Sequence, residues 1–170
     1  IISKICSENN LDQFIHISAL GIDQAKDSKY AKSKLDGEQK IKENFEQATI
    51  LRPSVVYSVD DNFTTSFMTM LNLLPFFPLY YNGKTKFIPI HVSEVSDIIL
   101  HIIEKNISSE IIECVGSQEY SFKEILQKLL QLINKNKILV PLPLIIGKIM
   151  ARFLEMFPKP LLTLDQLKLL

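Results

Sequence analysis

Two short apolar runs, at residues 14–18 (Phe-Ile-His-Ile-Ser) and 48–52 (Ala-Thr-Ile-Leu-Arg), bracket a long stretch of strong helix formers at 29–45. Each run is too short for a helix and too continuous for a strand with one wet face, so each suits a strand covered on both sides. Covered strands belong to parallel sheets, and a parallel pair needs a crossover connection, which the 29–45 helix supplies. Asp27 or Ser28 can cap that helix, Pro53 closes the second run, and Tyr30, Lys34, Gly37 and Ile41 recur at helical spacing. The chain is therefore expected to build a βαβ unit and to fall in the α/β class.

The remaining residues predict shorter, mixed elements. An amphipathic helix is expected at 63–74, with Asn62 as its cap, followed by a loop. A strand at 86–91, a helix at 93–104 and a strand at 110–115 come next; the helix carries Val95, Ile98, Ile99 and Ile102 on one face. Ser121 and Glu124 form a capping box for a helix at 121–133, whose apolar stripe is Phe122, Ile125, Leu129 and either Leu132 or Ile133. A last helix is expected at 144–157, stopped by Pro158 and Pro160, with Thr163 capping a terminal turn. The expected division is 1–57 for the sheet-bearing part and 58–170 for a smaller, mainly helical subdomain, with 86–115 as a segment that could return to the sheet.

Composition removes several function classes. The 19 Lys+Arg balance 19 Asp+Glu, so no positive field favours a phosphate backbone and no nucleic-acid partner is expected. Cys6 and Cys114 stand alone, and His16, His91 and His101 form no ligand spacing; neither a disulfide framework nor a metal site is expected. His91, after an apolar strand, reads as structural. The basic residues are 17 Lys and two Arg, Arg52 and Arg152, a bias that reads as genomic composition. Residues 62–83 carry no formal charge, but Pro75 and Pro78 interrupt them, and 138–147 is short and holds Pro141 and Pro143. No transmembrane segment is expected. The expected location is cytoplasmic, with peripheral attachment to an inner membrane, on its cytoplasmic or matrix side, left open.

The chemistry concentrates at Tyr30-Ala-Lys-Ser-Lys34. Four residues apart on a helix, a phenol and an ammonium share one face. A free phenol, with a pKa near 10, is only about 0.1% ionised at pH 7, and an adjacent cation raises that fraction. Such a phenol can exchange a proton with an alcohol or carbonyl oxygen during hydride transfer. The spacing also fits a solvated lysine beside an aromatic anchor, but it follows a buried strand, at the strand end where open α/β sheets bind ligands.

Taken with Phe14-Ile15-His16-Ile17-Ser18-Ala19, Gly37-Glu38 and Leu51-Arg52-Pro53-Ser54-Val55-Val56-Tyr57, these residues resemble the second half of an extended or atypical short-chain dehydrogenase/reductase. Asp61-Asn62-Phe63, Phe87-Ile88-Pro89-Ile90-His91-Val92 and the ending at 160–167 are similar to the nucleotide-binding accessory subunits of respiratory complex I and their bacterial relatives. The resemblance implies the carboxyl-terminal part of a Rossmann-like, doubly wound parallel sheet plus a substrate or docking subdomain. It implies Tyr30 as acid/base, Lys34 on the nicotinamide ribose, Ser18 as the polarising hydroxyl, and Ile17, Ser18, Pro53, Ser54 and Val55 beside the nicotinamide of NADP or NAD.

Three positions depart from the family pattern. Ala19 stands where the extended enzymes carry their Ser or Thr, Ser58 replaces a Gly, and the acid after the His-Val pair is Glu94. None of the five glycines has the spacing of a phosphate loop, so cofactor binding is expected to need the family's amino-terminal half. The expected function is a dinucleotide-binding accessory subunit of an NADH-ubiquinone oxidoreductase. The alternatives are an active epimerase or reductase working through Tyr30 and Lys34, and an inactive fragment.

Overall fold

A computed structural model describes residues 1–156 and 163–165, and the chain divides into two units, 1–56 with 90–117, and 57–89 with the residues from 118 onward.

The first unit is built on three parallel strands. Strand β1 (Ile15–Ile17) and strand β2 (Thr49–Pro53) are joined by helix α2 (Lys29–Asn44), as the βαβ pattern predicts. Ser28 caps α2, its Oγ accepting from the Ala31 N–H at 3.2 Å. Helix α1 (Ile2–Glu8) precedes β1 and was not expected; it has no side-chain cap and no acid in its first turn, so the sequence carries no start signal for it.

The short strand β3 (Val56–Tyr57) follows β2. The chain then builds part of the second unit and returns through strand β6 (Ile90–His91), helix α4 (Val92–Glu104) and strand β7 (Ile111–Cys114). Strand β7 pairs in parallel with β2, giving the order β1-β2-β7, with Ile17 opposite Leu51 and Leu51 opposite Ile112. One face packs Leu51, Ile90, Val95, Ile102 and Cys114 into a core. Gln13 pins the end of α4 by donating to the Ile102 and Ile107 carbonyls.

In the second unit, helix α3 (Asn62–Leu73) is capped by Asp61, not by Asn62: the Asp61 carboxylate accepts from the Thr64 N–H at 2.7 Å and from the Thr64 hydroxyl, and Asn62 is the first helical residue. The expected loop after α3 is instead strand β4 (Phe76–Leu79), which pairs in parallel with strand β9 (Ile138–Pro141). A 3-10 turn, Tyr80–Gly83, follows, with Tyr81, Asn82 and Gly83 all at positive φ. The expected 86–91 strand is two pieces, because strand β5 (Lys86–Phe87) pairs with strand β8 (Tyr120–Ser121) while β6 belongs to the first unit.

Helix α5 (Phe122–Leu132) opens with the predicted capping box. Phe122, Ile125, Leu126, Leu129 and Leu130 are buried with Leu71, Phe77 and Leu79. Ile133, not the exposed Leu132, completes the stripe. Phe63, Phe67, Phe77, Phe87 and Phe122 surround one another with ring centroids 4.9–6.2 Å apart. Helix α6 is Leu144–Leu154, and Leu164 and Asp165 are helical directly after Thr163. The expected stop at Pro158 and Pro160, and most of the 160–167 ending, lie outside the described residues. Among the described residues no helix is long and apolar enough to cross a membrane.

Candidate functional site

Helix α2 lies against β1 and β2 with an unusual inward face. Positions 31, 34 and 38 are Ala, Lys and Glu: Ala31 is fully buried and lets the helix approach the sheet, while the next two put polar groups beside the strands. The Lys34 Nζ donates to the carbonyl of Ile17, the last residue of β1, at 3.3 Å. The same nitrogen is 5.9 Å from the centroid of the Tyr30 ring, so phenol and ammonium share one face of the helix. Tyr30 stands at the rim of that face and is 44% exposed.

Beneath this pair lies a buried ion pair. Arg52 on β2 donates to Glu38 on α2 through two parallel bonds, Nε to Oε1 at 3.0 Å and Nη2 to Oε2 at 2.7 Å. Burial works to raise the Glu38 carboxyl, but the hydrogen bonds from Arg52, with help from Ser18 and the Arg52 and His16 charges, hold it below its ordinary value. The same bonds from Glu38 raise Arg52 further. His16, on β1, is pushed down by burial and by the Lys34 charge, against the opposing pull of Glu38.

Ser18 is buried, with its Oγ beside Glu38 but without a hydrogen bond of ordinary geometry. The buried His16 Nε2 also lacks a partner among the described residues. The carboxyl ends of the strands stay in register past their last residues: Ser18 N–H donates to the Leu51 carbonyl at 2.7 Å, Leu20 N–H to Pro53 at 2.9 Å and Ser54 N–H to Cys114 at 2.9 Å. Pro53 is tolerated in this central strand because it is the last residue of β2, and its carbonyl still accepts. Val55 accepts from the Ile90 N–H at 3.0 Å.

The structure thus gathers Ile17, Tyr30 and Lys34 at one strand end, sets Ser18 below them beside Glu38, and places Pro53, Ser54 and Val55 along the exit of the neighbouring strand. The Glu38–Arg52 pair was missed by the sequence reading, which took the scarcity of arginine as compositional bias. The sequence marked each residue but not their contact: a Glu seven residues after a small inward position, and one of two arginines in a lysine-rich chain. His91 is structural as expected. Its Nδ1 accepts from the Ser93 N–H and Glu94 accepts from the His91 N–H at 2.9 Å, so both residues cap α4.

A basin of about 720 Å³ in the second unit is lined by Lys123, Gln127, Gln131, Asn134, Lys135 and Lys137 among others. Lys123 lies in the first turn of α5, and Lys135 and Lys137 lie just past its end, where cations are favoured by the helix dipole. Among the described residues no three His, Cys, Asp or Glu side chains are grouped to hold a metal.

The profile of the RmlD substrate binding domain family matches residues 24–144. Among curated relatives, the mitochondrial NADH dehydrogenase [ubiquinone] 1 alpha subcomplex subunit 9 of Dictyostelium discoideum is 28% identical over 122 residues, 71% of this chain and 34% of that protein. The Mus musculus protein of the same name is 26% identical over 170 residues, 98% of this chain and 45% of its own length. The Neurospora crassa NADH-ubiquinone oxidoreductase 40 kDa subunit is 26% identical over 84% of this chain and 37% of that protein. The chain spans less than half the length of these relatives.

Among solved structures, UDP-glucuronic acid 4-epimerase of Bacillus cereus, in complex with UDP-glucuronic acid and NAD, superposes with a TM-score of 0.65 at 23% identity, covering 83% of this chain and 52% of that one. The dTDP-4-dehydrorhamnose reductase of Bacillus anthracis, in complex with NADP, gives 0.65 at 18% identity, covering 83% and 54%. These likenesses establish the fold: an α/β, Rossmann-like arrangement, the class expected from the βαβ unit.

Proposed function

We propose that this chain, which belongs to the RmlD substrate binding domain family, forms the nicotinamide-side wall of a dinucleotide-binding, short-chain dehydrogenase/reductase-like protein that works as an accessory subunit of an NADH-ubiquinone oxidoreductase. The observation that carries this reading is the Lys34 ammonium fixed between the Ile17 carbonyl and the Tyr30 ring at the carboxyl end of β1. A lysine anchored there presents its remaining N–H donors to a ligand at the strand end, where open α/β sheets receive one.

The residues present fit a nicotinamide nucleoside. Lys34 would bind its ribose hydroxyls, the backbone at Ile17, Pro53, Ser54 and Val55 would border the ring, and Tyr30 would hold a proton at its phenolic oxygen. When bound, the dinucleotide supplies hydride. A glycine-rich turn for the pyrophosphate is not among the described residues, so that contact belongs to the amino-terminal half of the family fold. Ser18 is assigned to ordering Glu38 more than to polarising a substrate, since its hydroxyl is buried beside that carboxylate. With Ala19 next to it, the position of the family's polarising Ser or Thr carries no hydroxyl, which favours nucleotide retention over turnover.

The second unit would then serve as the substrate or docking subdomain, on the matrix or cytoplasmic face of the respiratory membrane. A second reading, an active epimerase or reductase, is kept by the joint presence of Tyr30 and Lys34. The test uses the full-length protein. On the accessory reading it co-purifies with membrane NADH dehydrogenase and releases unreacted NADPH or NADH on denaturation. Steady turnover of NADPH with a carbonyl substrate, abolished by Tyr30→Phe, would establish the enzyme reading instead. A protein carrying no nucleotide and bound to no such complex would contradict both.

A further inference from the structure

Helix α6 (Leu144–Leu154) is turned opposite to the usual rule for a helix on a core. Its inward positions are small: Ala151 is fully buried, and Gly147 sits so close to the Tyr80 ring that a Cβ there would lie 2.3 Å from Cε1. About 170° around the helix, at 3.6 residues per turn, Ile145, Ile149 and Phe153 face solvent, 73%, 65% and 62% exposed. Ile146 widens this arc, and Met156 extends it past the helix end at 79% exposed. Surface helices of soluble domains carry polar groups on that side, so this face has the pattern of a helix that buries both sides.

Charge identifies what covers it. Helix α6 itself carries two exposed cations, Lys148 and Arg152, and no carboxylate, in a protein of zero net charge. Lys148 and Arg152, one turn apart, flank the apolar arc on one side, where long stems can lie along hydrocarbon and keep their charges in the headgroups. Glu155, the first acid after the helix, is engaged in accepting from the Leu164 N–H at 2.8 Å. An exposed apolar arc edged by cations, on a helix about 16 Å long, is the make-up of an interfacial helix.

We infer that the outward face of α6 lies in the headgroup region of an anionic lipid bilayer, with Ile145, Ile149 and Phe153 inserted and Lys148 and Arg152 paired with lipid phosphates. The inference is independent of the dinucleotide assignment. It is tested by flotation of the full-length protein with vesicles of phosphatidylcholine alone and of phosphatidylcholine with about one third phosphatidylglycerol. The protein floats with the anionic vesicles. Replacing Ile149→Asp together with Phe153→Asp lowers its partitioning about 100-fold. Replacing Lys148→Gln with Arg152→Gln lowers it about 30-fold on anionic vesicles only. Failure of the unaltered protein to float on anionic vesicles overturns the inference. So does partitioning that neither pair of substitutions changes, or a concentration-dependent dimer that both Asp substitutions dissolve while flotation is unaffected.

Discussion

The two units solve the problem of an interior differently. The second unit is closed by hydrocarbon: five phenylalanine rings and the stripe of α5 fill it. The first unit has an apolar core on one face of its sheet, but under α2 it buries a carboxylate, a guanidinium, a serine hydroxyl and an imidazole within one neighbourhood. Hydrocarbon packing is tolerant of repacking, whereas a buried ion pair is energetically neutral at best against an apolar substitute and holds only with its partners aligned. The difference teaches that the polar interior is kept for geometry. It fixes the distance between α2 and β2, and through that the position of Lys34 against the end of β1.

Three substitutions separate the two kinds of interior. Phe122→Ala leaves a large void among four other rings and should cost about 4 kcal/mol in urea unfolding. Arg52→Met strands the Glu38 carboxylate and should cost about 3 kcal/mol, yet adding Glu38→Leu should restore most of that loss. A double variant as unstable as the single one would mean the pair is holding the unit together by its own attraction, and the contrast between the units would fail. No second change of comparable size should rescue Phe122→Ala.

A smaller effect comes with acid. All three histidines of the chain lie in the first unit, and His16 is held below its ordinary value of 6.5. Folded His16 therefore binds its proton less tightly than the unfolded chain does, so stability rises with pH across that window and falls as pH drops below 6.5. Glu38, held below its ordinary 4.5, adds a further loss as pH falls through its own lowered value. Protection factors from amide exchange, corrected for the slower intrinsic exchange in acid, should therefore fall around β1 before they fall around α5 as the pH is lowered from about 7.5 to about 5.5. An equal loss of protection in both units would remove the assigned role of His16.

Much of this was legible in the chain because the signals were local. The βαβ unit follows from two covered runs and a capped helix, and the Ser121–Glu124 box fixed the start of α5. What escaped was long-range. Residues 76–79 contain Pro78 and read as a loop, yet they form β4 because a segment some 60 residues later, Ile138–Pro141, is there to pair with it. In that pairing Pro78 stands opposite Val140 and Pro141 opposite Leu79, a short pair in which a missing donor is tolerated. The Glu38–Arg52 contact likewise joins a helix to a strand, and no spacing rule links them. At Asp61 and Asn62 two good caps stood side by side, and the one whose carboxylate reaches the Thr64 N–H won.

The site was readable as residue types, while its support was not. Tyr30 and Lys34 share a face by helical spacing alone, but that the ammonium is tied to the Ile17 carbonyl depends on where β1 ends.

The central claim is that Lys34, so tied, holds the nicotinamide end of a dinucleotide. It is tested most directly by calorimetric titration of NADPH into nucleotide-stripped full-length protein, with Lys34→Met set beside the unaltered chain. Loss of a charge-assisted bond should weaken binding about 10- to 100-fold while the thermal midpoint stays put. Equal affinity for the two proteins would contradict the account.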